Sequence, residues 1–212
     1  MPVRALESLF GVDSVTISRI VLRVVDWMNQ LDLIIPQGKS EHPWIVDSTL
    51  LRTARQKSGS AFTGYKHFDG IKIQILIDST NKIIQTVSNP YPANWHDKRI
   101  FLAEFGKLEK QIHEGLIILG DKAYVGLDKY GVEVPKKRNE LQYKANPALA
   151  KQQNRELSRK RVMVEHIFAW LKNFRIGFNN YYYSVDKIGK FVKSLINLYN
   201  CEQLIKLGEI QI

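Results

Sequence analysis

The spacing of apolar side chains along this chain changes period several times, and each change marks an element. Over residues 4–10 and 14–27 apolar positions recur at steps of three and four, which predicts a short helix and a longer one. Gly11, Val12 and Asp13 form the turn between them. On the longer helix Ile17, Val21 (or Ile20), Val24 and Met28 are expected inward, with Ser14, Thr16, Arg19 and Arg23 toward solvent. Residues 31–43 contain Pro36, Gly38 and Pro43 and read as a connector.

The period then falls to two. Residues 44–51 form a short strand, apolar up to Asp47, followed by a basic loop of small residues over 52–60. Residues 65–78 alternate at Ile71, Ile73, Ile75 and Ile77, turn at 79–81, and return over 82–88 as a hairpin. A helix opening at Asp97 carries Phe101, Phe105, Leu108 and Ile112 inward. Residues 116–119 are a buried strand ending at Gly120 and Asp121, and 132–134 a last short strand before the basic loop 135–138. Residues 147–174 and 185–208 are helical, the second presenting Val185, Ile188, Phe191, Val192, Leu195 and Leu198. Strands, a crossover helix, a further strand and then helices describe an α/β domain with a mixed sheet, over residues 44–212, behind a helical segment (1–30) and a linker (31–43). If the first and fourth strands are parallel neighbours, Asp47 and Asp121, at their outgoing ends, meet at one sheet edge.

Composition changes one part of this picture. Hydrophobic content of 44% and charged content of 25% are ordinary, but 31 Lys and Arg against 21 Asp and Glu leave a net charge of +10. Such a surplus points to a polyanion, nucleic acid before membrane. It also strengthens the case that the first helix pair is a helix-turn-helix DNA-binding element rather than a plain helical hairpin. No apolar run reaches about 18 residues, so no membrane span is expected, and the first residues lack the basic-then-apolar order of a secretory signal. The single cysteine, Cys201, is read as packing and fits a reducing, cytoplasmic setting, nucleoid-associated in a bacterium.

The helix covering residues 158–175 carries the most chemistry. Met163, Ile167, Trp170 and Phe174, widened by Val164, Phe168 and Leu171, form its apolar face. Ser158, Arg161, Glu165, Ala169 and Lys172 fall together on another. Taken alone, Glu165 is a surface acid with an Arg one turn before it, and Asp47 and Asp121 are each strand-end turn residues. Taken together, three hard carboxylates on strand, strand and helix suit paired divalent ions in phosphodiester chemistry. Asp97, following His96, is a good N-cap for its helix, with a direct metal contact as the weaker alternative. His42, His67 and His113 lack zinc-like spacing, and Tyr181, Tyr182 and Tyr183 suit an aromatic edge better than a base-stacking platform.

These motifs carry a resemblance. Val46-Asp47-Ser48-Thr49, then Asn94-Trp95-His96-Asp97-Lys98-Arg99, then Gly120-Asp121-Lys122-Ala123-Tyr124, then the block from Asn154 through Glu165 to Lys172 occur in the order of the DDE transposases of the insertion-sequence-5 and Harbinger-like group. The chain resembles that group from about residue 4 to residue 200. The resemblance implies a ribonuclease-H-like fold, a catalytic triad of Asp47, Asp121 and Glu165 holding Mg2+ or Mn2+, and a double-stranded DNA substrate, with a homodimer on DNA as the assembly. It implies phosphodiester hydrolysis at an element's end and attack of the freed 3′-hydroxyl on target DNA. Arg52, Arg55, Lys136, Lys137, Arg138, Arg161 and Lys172 would grip phosphates, and Ser14, Thr16, Arg19 and Arg23 would face the major groove. The group's members carry a longer segment before the helix pair, so weakened end binding beside a complete acid set is expected. The alternatives are a transposase-derived DNA-binding protein that no longer cuts, which predicts a missing acid where none is missing, and a nuclease of the same fold acting on RNA–DNA hybrids.

Overall fold

The computed structural model describes residues 3–33, 42–54, 60–64, 66–105, 115–174 and 184–210. Two helices, α1 (Val3–Phe10) and α2 (Ser14–Gln30), precede the strands β1 (Trp44–Arg52), β2 (Ala61–Thr63), β3 (Phe68–Asp78), β4 (Ile84–Val87) and β5 (Tyr91–Pro92). Helix α3 (Asp97–Glu104), β6 (Ile118–Leu119), two single 3-10 turns and β7 (Val132–Glu133) follow, then α4 (Leu141–Ala145), α5 (Pro147–Asn173) and α6 (Val185–Lys206). The long helices and the hairpin match the predicted pattern within a few residues. The short strands β2 and β5 were not expected, because three-residue and two-residue segments carry no period and form only where β3 offers an edge.

The seven strands make one mixed sheet, ordered β2-β3-β1-β6-β7, with β4 and β5 also on β3. β1 and β3 run antiparallel, whereas β1–β6 and β6–β7 are parallel, as a crossover requires. One face carries Ile45, Leu51, Ile71, Ile73, Ile75 and Leu119 and is covered by Val164, Ile167, Phe168 and Leu171 of α5 and by Ile188, Val192 and Ile196 of α6. The other carries Trp44, Val46, Leu76 and Ile118, covered by Phe101 and Phe105 of α3 and by Tyr124 and Leu127 of the 3-10 turns. The strict alternation of β1 therefore sends Asp47 to the α5 side and Ser48 to the α3 side.

Helix α2 lies along α6. Ile17 and Val25 are buried there, while Ile20, Val21 and Val24 are exposed, so the inward face is rotated from the expected one. Polar anchors set that rotation: the buried Asn197 amide donates to the Met28 carbonyl (2.9 Å) and accepts from the Leu33 N–H (3.1 Å), and Asn200 donates to the Leu33 and Ile84 carbonyls. Leu108, Ile112, residues 34–41 of the connector, His113 and the three tyrosines 181–183 lie outside the described residues. Among the described residues no helix is long and apolar enough to cross a membrane.

Candidate active site

Asp47 lies inside β1, not at its outgoing end, because β3 continues to pair with that strand as far as Arg52. What stops just before Asp47 is the parallel ladder with β6, whose register pairs Trp44 with Ile118 and Ile45 with Leu119. Asp47 and Asp121 each stand two positions past the Ile45–Leu119 partners. Two residues restore the same face, and neighbouring strands lie roughly 5 Å apart. Asp121 lies just past the end of β6 in extended backbone, so it comes near Asp47 beyond the point where the ladder opens, close enough for its charge to act on that carboxyl. Asp121 Oδ1 accepts from the Ala123 N–H (2.8 Å), which caps the following 3-10 turn.

Asp47 is enclosed by donors. Its Oδ1 accepts from the Ser48 N–H (2.8 Å), and its Oδ2 meets Arg161 Nη2 of α5 at 3.2 Å. Burial pushes the Asp47 carboxyl above its ordinary value, and the charge of Asp121 adds to that. The Ser48 N–H and the Arg161 guanidinium pull the other way without cancelling it. Further along α5, burial followed by the nearby Lys66 lowers the Lys172 amine, while Asp47 raises it. Arg161 thus faces Asp47 from the helix, whereas Lys172, about three turns on, lies beside Thr49, Leu51 and Ile73, near enough for the charge of Asp47 to act on it. Glu165 stands between them on the same stripe, at about 100° per residue, with its side chain exposed.

A second set of groups lies under the acids on the α3 side. Asp97 is the first residue of α3, not its cap; His96 Nδ1 takes that role by accepting from the Lys98 N–H (3.3 Å). The Asp97 carboxylate accepts instead from the Ser48 hydroxyl (2.5 Å) and pairs with Lys72 Nζ (3.1 Å). This is possible because Ser48 and Lys72 both point to the α3 face from β1 and β3. The fully buried Gln74 donates from Nε2 to the Tyr124 hydroxyl (2.7 Å) and to the Asp97 carbonyl (3.2 Å). Burial holds the Tyr124 hydroxyl well above its usual range, and the charges of Asp97, Asp47 and Asp121 raise it further, so it stays protonated beneath all three acids. Ser48 and Tyr124 stood within the motifs read from the sequence but were given no role, and Lys72 and Gln74 were not singled out. For those two the available signal was a pair of polar residues inside an otherwise isoleucine-rich strand.

The expected phosphate contacts divide. Arg161 joins Asp47, and Lys172 stands further along α5. Arg52 ends β1, exposed, with its guanidinium 5.9 Å from the Phe68 ring centroid, and Arg55 lies outside the described residues. Lys137 and Arg138 are exposed, whereas Lys136 is fastened to α5: Asn154 grips its peptide on both sides (2.8 and 2.9 Å), and its Nζ reaches Gln153 Oε1 (2.8 Å). On α2, Arg19 and Arg23 are exposed. The Ser14 N–H donates to the Glu7 carboxylate, and the Thr16 hydroxyl and N–H both donate to Asp13 (2.6 and 3.0 Å). Two carboxylates therefore occupy the helix end that a recognition helix presents to DNA.

Among the described residues no group of three or more His, Cys, Asp or Glu side chains closes around one point. The donors nonetheless fit a hard divalent cation. Asp47 on β1 and Asp121 just past β6 are neighbouring like charges, and Asp47 is partly buried and only partly compensated, which a cation would relieve. No curated protein matches the chain. A family model described as DDE superfamily endonuclease matches residues 46–200, a span that begins one residue before Asp47 and holds Asp121, Glu165 and every group around them.

Proposed function

This chain belongs to the DDE superfamily endonucleases, whose domain is typical of insertion-sequence-5 and Harbinger-type transposases, and on that premise we propose that it is a transposase cutting and joining DNA with Mg2+ or Mn2+. The family generally works with divalent metals, and membership implies a DNA substrate. The observation that supports the proposal most is the register of β1 and β6, which brings Asp47 and, just past the end of β6, Asp121 to the same open end of the parallel ladder. Asp47 and Asp121 would be the principal metal ligands, and Glu165 would join them from α5, on the stripe that carries Arg161 to Asp47. Divalent ions at such a site activate the attacking hydroxyl and stabilise the leaving oxygen of the phosphodiester.

The chain's own residues do the rest. Arg161 and Lys172 hold the phosphates beside the scissile bond, and Arg52, Lys137 and Arg138 extend the grip along the backbone, which supplies affinity without sequence information. Arg19 and Arg23 touch DNA from α2, while Ser14 and Thr16 serve the helix cap. The Ser48–Asp97–Gln74–Tyr124 network ties β1, β3 and the start of α3 to the turn after Asp121, which fixes the segments bearing Asp47 and Asp121, because displaced carboxylates lose alignment with the reacting phosphate.

Nicking of supercoiled plasmid with Mg2+ or Mn2+ tests this. Asp121→Asn is nearly isosteric but lacks the charge that holds a divalent ion. It is expected to lower cleavage on the order of 10²-fold or more while DNA binding persists. Cleavage that survives in Asp47→Asn, Asp121→Asn and Glu165→Gln alike would make these acids structural.

A further inference from the structure

We propose that Arg161 is a built-in competitor of the divalent cation for Asp47, and that a DNA phosphate drawing the guanidinium away opens the carboxylate to metal. This rests on the metal-dependent reading of the site. Both Asp47 oxygens already have a donor: the Ser48 N–H on Oδ1 and Arg161 Nη2 on Oδ2. A small hard cation needs a carboxylate oxygen at about 2.1 Å. With a permanently charged guanidinium 3.2 Å from Oδ2, two cations cannot share that oxygen without strong repulsion. Arg161 cannot yield by losing its proton; it has to move.

The pairing is also incomplete on the arginine side. Guanidinium groups pair best through two parallel N–H donors. Here a single Nη2 contact is made, and the buried Arg161 Nε finds no acceptor among the described residues. The unused donor edge suits a phosphate oxygen, which offers the acceptors that Asp47 does not. Both side chains are 19% exposed, so the charges interact through a poorly screened medium, and the exchange of partners carries real free energy. Linkage then requires reciprocity: DNA strengthens metal binding, and metal strengthens DNA binding by the same factor. The consequence is a site that loads its ion only when substrate is present.

The test uses Mn2+ and the full chain. Binding to DNA-free protein is read from the paramagnetic resonance signal of the free ion, and duplex binding from the anisotropy of a labelled oligonucleotide with and without Mn2+. Arg161→Gln is expected to bind Mn2+ tighter without DNA, on the order of tenfold, the low end of what an adjacent Arg does to a carboxylate's proton affinity. Its duplex affinity should respond less to Mn2+ than the wild type's, because only the direct attraction between ion and phosphate remains. Arg161→Lys keeps the charge and should stay nearer the wild type, and Arg161→Met serves if the Gln variant fails a melting check. An Arg161 variant that folds but binds Mn2+ no tighter than wild type overturns the inference. If Asp47→Asn binds Mn2+ as well as wild type, the site itself has been misassigned, which is a separate failure.

Discussion

Gly120 precedes Asp121, and replacing it with alanine measures how firmly the buried platform holds the acids. A Cβ at position 120 would lie 3.1 Å from three carbons of Tyr124, Cβ, Cγ and Cδ2, where carbon pairs prefer about 3.5–4.0 Å. The ring can retreat only against its packing. It is 1% exposed, its hydroxyl accepts from Gln74 at 2.7 Å, and Phe101 packs edge-on against it with centroids 6.3 Å apart. Overpacking of this kind costs about 1–3 kcal/mol. At roughly 2–4 °C per kcal/mol for a chain of this size, a mid-range cost of about 2 kcal/mol lowers the melting temperature by ~4–8 °C. The neighbour must give by a few tenths of an ångström. A misplacement of about 1 Å at reacting groups costs on the order of 10²-fold, so a shift passed on to Asp121 should cut metal-dependent nicking by roughly tenfold. Gly64→Ala is the matched control, because its added Cβ meets nothing within 4 Å. The assays are a thermal melt by circular dichroism and plasmid nicking below both melting temperatures. A Gly120→Ala protein that melts and nicks like the Gly64→Ala control would refute the fixed Tyr124 platform. One that melts early but nicks normally would show that the platform stabilises the fold without positioning Asp121.

Two further outcomes are expected. Burial raises the folded-state pKa of Asp47, so its ionised form opposes folding: the opposition is full above the folded pKa and fades as pH falls toward the ordinary value of 3.8. In metal-free buffer the stability of Asp47→Asn relative to wild type should therefore be greatest at pH 7 and fall as pH is lowered to 3.8; a relative stability that rises on acidification would contradict the burial assignment. Replacing Lys137 and Arg138 with alanine should make the plot of log DNA affinity against log salt shallower by about two, while Lys136→Ala, whose ammonium is already tied to Gln153, should change it little; equal effects of all three would show that the Gln153 contact yields to phosphate.

The sequence by itself determined the elements whose burial is one-sided and long. The α5 stripe of Val164, Ile167, Phe168 and Leu171 and the isoleucine ladder of β3 are written in consecutive residues, because a helix or strand must bury whichever face is apolar. The motif order was equally legible, and it named Asp47, Asp121 and Glu165 before any coordinates. Tertiary structure decided what those faces meet. The amphipathic pattern of α2 offered a wider apolar face than α6 could cover, and Asn197 and Asn200, remote in sequence, chose the angle that left Ile20, Val21 and Val24 outside. Asp97 looked like a cap because local pattern reports only local partners; Ser48 and Lys72 reach it through the sheet register. Gln74 is polar yet wholly buried, a choice that makes sense only once Tyr124 stands over it. The Arg161–Asp47 pair, 114 residues apart, exists because α5 packs across β1 on the face that carries Asp47, where the β1–β6 ladder opens. Periodicity fixes which side chains leave water; only the packed chain fixes which charges then have to share the space.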